Sequence, residues 1–211
     1  MLNNTICILI LIFFFNPLPV QAITLDLGIA ANENSMIISN QDLSDIAEIS
    51  SGLTFSPTIS LKSDYVFFDK SQWGYFYELS YNTLHLDKQG SPESVDVGTA
   101  IDGTYAHFTP TIFYRLGDPA ASDFMAQAGL GIGVGYLDIH GNFITDKVYQ
   151  ASKIDMDGSG FGFSVGLYFE AQSGNWITRI NGYGPVIDIG PNTYQYIDVT
   201  ISLSYRFYFE L

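Results

Sequence analysis

Apolar and polar positions alternate along most of this 211-residue chain with a period of two, the spacing of a strand whose two faces meet different surroundings. The pattern is clearest from Ile197 to Leu211, where the odd positions are apolar or aromatic. The even ones are Asp198, Thr200, Ser202, Ser204, Arg206, Tyr208 and Glu210. A helix would scatter these classes around its axis, and the β-branched and aromatic content disfavours one. The same alternation predicts seven earlier strands: Ile23 to Ala30, Gly52 to about Phe67, Trp73 to Leu86, one ending at Leu116, Phe124 to about Leu137, Gly158 to Gln172, and one starting at Trp176. The last strand then begins near Tyr194. Pro57 removes a ladder donor from the second strand, and a phase slip near Asn82-Thr83 predicts a bulge in the third.

Between the strands, polar and acidic connections alternate with tight ones. Long loops are expected from Ala30 to Ser51, Asp87 to Asp102, Asp138 to Asp157, and through Gly182, Gly184 and Pro185 to Tyr194. Short turns are expected at Asp69 to Gln72, Gly117 to Pro119 and Ser173 to Asn175. Eight strands with long connections at one end and short ones at the other give an all-β, eight-stranded antiparallel up-and-down barrel.

Composition decides which face meets which solvent. Charged residues make up 14% of the chain, against roughly 25% in soluble domains, while aromatics reach 15%. That imbalance points to an apolar exterior solvated by lipid. A secreted soluble barrel of the lipocalin kind is the alternative, but its outer face should be rich in Lys and Glu, and the polar face here is mostly Ser, Thr, Gly and Asn.

The N-terminal segment, Met1 to Ala22, has an apolar run from Ile6 to Phe15 and small residues at Val20 and Ala22, which fits a cleaved secretory signal peptide. An anchoring helix is the alternative; the run is about half of the roughly 20 residues that spanning requires. The one cysteine, Cys7, falls in this segment and lacks a lipobox, so the remainder from residue 23 to 211 reads as a single barrel domain without thiol, disulfide or Cys-based metal site.

The closing strand, with its alternating aromatics at the chain end, resembles that of bacterial outer-membrane β-barrels; those usually finish in Phe, where this chain has Leu211. The resemblance is to the small eight-stranded barrels as a class. It implies a Gram-negative outer-membrane location, periplasmic termini and extracellular long loops. It also implies a monomer in contact with outer-membrane lipids, recognised by the barrel-assembly machinery through the last strand.

Charge adds a constraint on partners. The 22 acidic residues outnumber the 8 basic ones for a net charge of −14, many of them in the expected loops: Glu33, Asp42, Asp45, Glu48, Asp87, Glu93, Asp96, Asp146, Asp155 and Asp157. Such a surface repels nucleic acid and attracts cations or basic proteins.

Apparent motifs dissolve on inspection. The alternating glycines from Gly129 to Gly135 occupy one strand face and lack the strand-turn-helix context of a nucleotide loop. Asp155-Met156-Asp157-Gly158 has the wrong spacing for a calcium loop, with Gly166 where a bidentate Glu belongs. Outer-membrane lipid A deacylases carry a His-x-Ser pair, whereas the triplets here are His85-Leu86-Asp87, His107-Phe108-Thr109 and His140-Gly141-Asn142. No catalytic residue, cofactor or metal site is therefore expected.

The inward face carries the remaining signal. Asp26, Lys62, Glu78, Arg115, Glu170, Arg179, Arg206 and Glu210 fall toward the end holding the termini, four acids and four bases. The expected pairs are Glu78 with Arg115, Glu170 with Arg179, and Asp26 with Arg206, since single buried charges are costly; the alternative places some at a wet rim. Toward the other end, Gly131, Gly133, Gly135, Gly160 and Gly162 oppose Tyr105, His107 and Asp198. They outline a small pocket open to the outside, or only permit the coiling of a narrow barrel. The function expected is non-enzymatic, a surface or envelope-integrity role through the acidic loops; a small-molecule binding or conducting barrel is the alternative, and a lipid-modifying enzyme a third.

Overall fold

A computed structural model of the chain describes residues 22–40, 45–69, 71–89, 100–116, 124–147, 150–155, 157–190 and 192–210. The expected signal peptide up to Gln21, Cys7, Leu211, the turn at Gly117 to Pro119 and the acids Asp42, Glu93 and Asp96 lie outside them. The side chains of Asp45, Glu48, Asp146 and Asp155 do too.

The described residues form twelve strands: β1 (Ala22–Asn40), β2 (Asp45–Ser50), β3 (Thr54–Ser63), β4 (Val66–Phe67), β5 (Trp73–Leu86), β6 (Lys88–Gln89), β7 (Ala100–Leu116), β8 (Phe124–Lys147), β9 (Gln150–Asp155), β10 (Gly158–Ser173), β11 (Trp176–Ile189) and β12 (Asn192–Glu210). Eight of them close a barrel in the order β1-β3-β5-β7-β8-β10-β11-β12, because β12 pairs back onto β1 from Ala22↔Glu210 to Asn40↔Asn192. Every one of these pairings is antiparallel. Closure leaves β1 and β12 no free edge.

Along the terminal half of each strand, large apolar side chains point outward and stay exposed: Ile29, Leu61, Ile112, Leu167, Ile180 and Leu203 among them. The inward neighbours are charged or hydroxylated and buried. Apolar outside and polar inside reverses the soluble arrangement, and a closed barrel satisfies its own backbone, so the protein is a membrane-spanning β-barrel. No helix among the described residues is long and apolar enough to cross a membrane, which bears on helices alone.

The expected connections are longer than the observed ones at the distal end. β1 runs on to Asn40 and returns through β2, where a loop was expected; β8 continues to Lys147 and is joined by β9. The last loop is a turn at Gly190, which has φ +60°, between β11 and β12. The distal strand extensions escape a sequence reading because their polarity pattern inverts. β5 makes this plain: its register with β7 holds from Trp73↔Tyr114 to Leu86↔Ile101 without the expected bulge at Asn82-Thr83. Leu84 and Leu86 are buried while Thr83 and His85 are exposed, so what changes is the face that is apolar, not the phase of the strand.

Each in-strand proline coincides with a break in one ladder. Pro110 pairs with Tyr77, but the β7–β8 ladder skips from Phe108↔Val134 to Thr111↔Gly131. Pro185 pairs with Ser164, but the β11–β12 ladder skips from Tyr183↔Asp198 to Val186↔Gln195. Pro57 pairs with Ile29, while the β3–β5 ladder spans only Ile59↔Tyr81 to Lys62↔Glu78. A missing N–H removes a donor, and the ladder opens where it is missing.

Candidate functional site

The lumen is built in three layers. At the terminal end, inward positions of four other strands, β3, β8, β11 and β12, and Tyr65 between β3 and β4 converge on Glu170, which is fully buried. Its Oε2 accepts from Lys62 Nζ at 2.7 Å and from Arg179 Nη2 and Nε at 2.6 and 3.0 Å. Its Oε1 accepts from the Tyr65 hydroxyl at 2.5 Å, Gln127 Nε2 at 3.1 Å and Arg206 Nη2 at 3.3 Å. Asp26 is gripped by Arg206 through two bonds of 2.7 Å, in the fork geometry that a guanidinium offers a carboxylate, and takes a third from Arg179 Nη2 at 3.0 Å. Arg179 Nη1 donates to Glu78 at 2.9 Å, and Lys62 lies 3.9 Å from both Asp26 and Glu78. Three acids and three bases thus balance within one network.

Two of the expected members stand apart. Arg115 does not meet Glu78, because the register sets Glu78 against Thr109 and leaves Arg115 well below it. Its guanidinium lies 4.0 Å over the Phe67 ring, and Nε finds no hydrogen-bond partner. Glu210, paired with Ala22 at the rim, is exposed. Glu78 bonds instead to Arg179 from across the lumen, a contact that neighbour-to-neighbour reasoning along the strand order does not reach. Tyr65 and Gln172 were also missed; Arg206 Nη1 donates to both, at 2.8 and 3.0 Å. Gln127 was missed as well, although the β8–β10 register sets it directly opposite Glu170.

Beneath and beside this network, Phe76, Phe113 and Tyr168 are buried against Tyr65 and Phe67, with edge-to-face contacts of 5.2 to 5.4 Å between Tyr65 and its two Phe neighbours. Lys62 Nζ sits 4.8 Å from the Phe76 ring centre, so the aromatic groups flank the charges and exclude water from them.

The middle layer is small and hydroxylated. Ser80 Oγ lies 2.8 Å from His107 Nε2, and His107 Nδ1 lies 2.8 Å from Thr109 Oγ1. Sequence spacing gave no sign of this Ser-His contact, which cross-strand pairing Ser80↔His107 creates. All three groups are buried, and the group orienting the ring is a hydroxyl rather than a carboxylate. The arrangement satisfies both nitrogens of a buried imidazole with neutral partners. Asp198, also buried, accepts from Thr200 Oγ1 at 2.9 Å. Among the described residues no cation lies within ion-pair distance of it.

The expected outward pocket is filled. Tyr105 is fully buried and its hydroxyl meets Ser164 Oγ at 3.1 Å. A Cβ on Gly135 would strike the Tyr105 ring at 2.7 Å, and one on Gly162 or Gly160 would strike Ile187 at 2.5 or 2.8 Å. At Gly131 and Gly133 the space is taken by Thr109, Thr111 and the β7 backbone. These glycines make room for bulky residues on neighbouring strands, not for a ligand from outside. Above them, Met36, Ile38, Leu84, Leu86, Leu137 and Ile139 join Tyr105, Tyr183 and Tyr196 in an apolar cap over the lumen.

Outside the cap, exposed groups are mostly polar, with Phe161 and Val186 as exposed apolar exceptions at its lower edge. His85 Nδ1 contacts Asp102, and His140 lies 3.5 Å from both Asp138 and Asp157. Among the described residues no group of three or more His, Cys, Asp or Glu side chains is placed to hold a metal ion.

No protein-family model matches the chain, and no curated relative does. Solved structures similar to it are bacterial outer-membrane and surface proteins. The outer membrane protein OprG from Pseudomonas aeruginosa is 14% identical over 89% of this chain and 96% of that one, with a TM-score of 0.43. The outer membrane protein AlkL, solved in lipid bilayers, is 13% identical over 90% and 91%, with a TM-score of 0.44. Ail, the attachment invasion locus protein of Yersinia pestis, is 14% identical over 89% and 99%, with a TM-score of 0.39. The likeness concerns the barrel fold, which the strand register establishes independently.

Proposed function

We propose that the protein is a non-enzymatic outer-membrane barrel whose lumen conducts nothing from end to end and whose contacts with other molecules are made by its distal, extracellular part. The observation that supports this reading is the double closure of the lumen: a neutral network of six buried charges with its aromatic flank at one end, an apolar cap at the other. Eight strands enclose a space that side chains just fill, unlike the water channels of much wider porins. The termini then lie in the periplasm. The distal strand extensions, with exposed acids such as Glu33, Asp87 and Asp157 in a chain of net charge −14, rise on the outer surface.

The partner class that fits this surface is basic: a basic protein or a cation attracted at low ionic strength, and not nucleic acid. Outer-membrane lipids solvate the belt, and the barrel-assembly machinery reads the closing strand. Planar-bilayer recording of the purified protein tests the reading. The expected result is no resolved steps at any voltage; steady unitary conductance would show a continuous water path past Glu170 and replace this function with that of a conducting barrel.

A further inference from the structure

The barrel wall has a window on one side, and the geometry points to its being a lateral binding site for a single-chain amphiphile with an uncharged, hydroxyl-bearing head. The site goes beyond the end-to-end closure proposed above and does not depend on it.

The window follows from three registers. β3 and β5 pair only from Lys62↔Glu78 to Ile59↔Tyr81. Further out, the wall closes again through β2 and β6, at Ser50↔Lys88 and Ile49↔Gln89. Between these rungs no pairing joins the stretch from Ser51 to Thr58 to the stretch from Asn82 to Asp87. On their other sides both stretches are held: Thr54 to Thr58 pair with β1, and Asn82 to Leu86 pair with β7. Ser51 is tied to Asn34 by 2.7 and 2.9 Å bonds. Pro57 stands in the opening, where a residue without an N–H cannot extend the ladder.

Side-chain exposure shows the same opening. Thr54, Thr58 and Asn82 point inward by the alternation of their strands, yet are partly accessible. At comparable depth on the other walls, Asn32, His107, Ser164 and Thr200 are buried, while Asn181, paired with Thr200, is the partly accessible inward group there. Outward beside the window, Leu53 and Phe55 are 68% and 74% exposed, and Tyr81 lies at its lower edge. An apolar lip at the margin of the membrane belt thus leads to a lining of hydroxyl and amide groups.

That change of chemistry across one wall selects an amphiphile. Its chain stays against Leu53, Phe55 and Tyr81, while its head meets Thr54, Thr58 and Asn82, which offer both donors and acceptors. Ser56 behind them is buried, its Oγ accepting from Asn32 Nδ2, and Thr54 Oγ1 donates to the Asn32 carbonyl at 3.3 Å. The charge of the head follows from the interior. The three network cations already have carboxylate partners, and Asp198 faces the middle layer with no cation, so a phosphate head would find repulsion and no counter-charge. A neutral polyol head avoids this. A monoacylglycerol is the simplest member of that class.

The test uses the full chain in phosphatidylcholine vesicles and a monoacylglycerol with a photoreactive diazirine in its glycerol head. After irradiation, adducts mapped by peptide mass spectrometry are expected on Thr54, Thr58 or Asn82, and should disappear with excess unlabelled monoacylglycerol. Pro57→Val, which restores an N–H and lets the ladder extend, should lose these adducts. In a Cys7→Ser background, the pair Thr58→Cys and Asn82→Cys gives a closure that is reversible in one folded sample: oxidised, no lumen adducts; reduced, their return. Adducts confined to Leu53, Phe55 and other belt residues would overturn the site, as would labelling that does not saturate or that persists in the oxidised pair. Equal labelling of the lining by a phospholipid carrying the same head-group diazirine would overturn the assignment of ligand class. None of these outcomes alters the conductance measurement, so the two proposals fail separately.

Discussion

The terminal lumen around Glu170 and the distal lumen around Tyr105 are both filled, but with opposite chemistry, and the difference follows the solvent outside. Where lipid surrounds the wall, outward Leu167 and Ile180 are apolar and the interior holds six paired charges. Where the strands rise beyond the belt, outward Thr83 and His85 are polar, and Met36, Leu86 and Leu137 make a core of the kind a soluble domain has. In the first region burial of apolar groups inside adds little, because lipid outside is equally apolar; specific charge-assisted bonds fix the packing. In the second, water outside restores the hydrophobic effect and the core faces inward.

The largest expected effect separates the two regions by their response to a lost charge. Arg179→Ala leaves Glu170, Asp26 and Glu78 short of a partner and should destabilise the barrel by about 3 to 5 kcal/mol, read by urea unfolding from micelles. Adding Glu170→Gln should recover part of that loss only, since Arg179 also serves Asp26 and Glu78. A fully additive double variant would mean the network does not act as a unit.

Exterior substitutions sharpen the contrast. Leu167→Arg puts a charge in the belt and should cost about 2 to 4 kcal/mol if that residue lies near the bilayer midplane. Thr83→Arg, on the distal exterior, should stay within about 0.5 kcal/mol. Equal costs at the two sites would move the membrane boundary beyond Thr83.

The smallest effect tests the cap. Ile38→Val removes one methylene from a buried site and should cost about 0.5 to 1.5 kcal/mol. Hydrogen exchange should rise in the distal parts of β1, β5 and β12 with no change near Glu170; a uniform rise along the strands would show that cap and network unfold together.

Period-two alternation by itself determined the strand count of the barrel, its antiparallel order and the facing of the belt, because lipid and lumen make opposite demands on successive residues. It located β5 to the residue, from Trp73 to Leu86. It placed Asp26 with Arg206 and Glu170 with Arg179 because those pairs lie on adjacent strands in register. It read the inversion at Asn82-Thr83 as a bulge and the distal strands as loops, since a sequence shows that polarity changes face but not that the solvent outside has changed. Only the tertiary structure decided which charges meet across the lumen, as Glu78 and Arg179 do, and which glycine spaces are occupied by tyrosine or isoleucine. It alone revealed the window beside Pro57. Contacts across a lumen depend on register and shear summed around a closed wall, and no single strand carries that information.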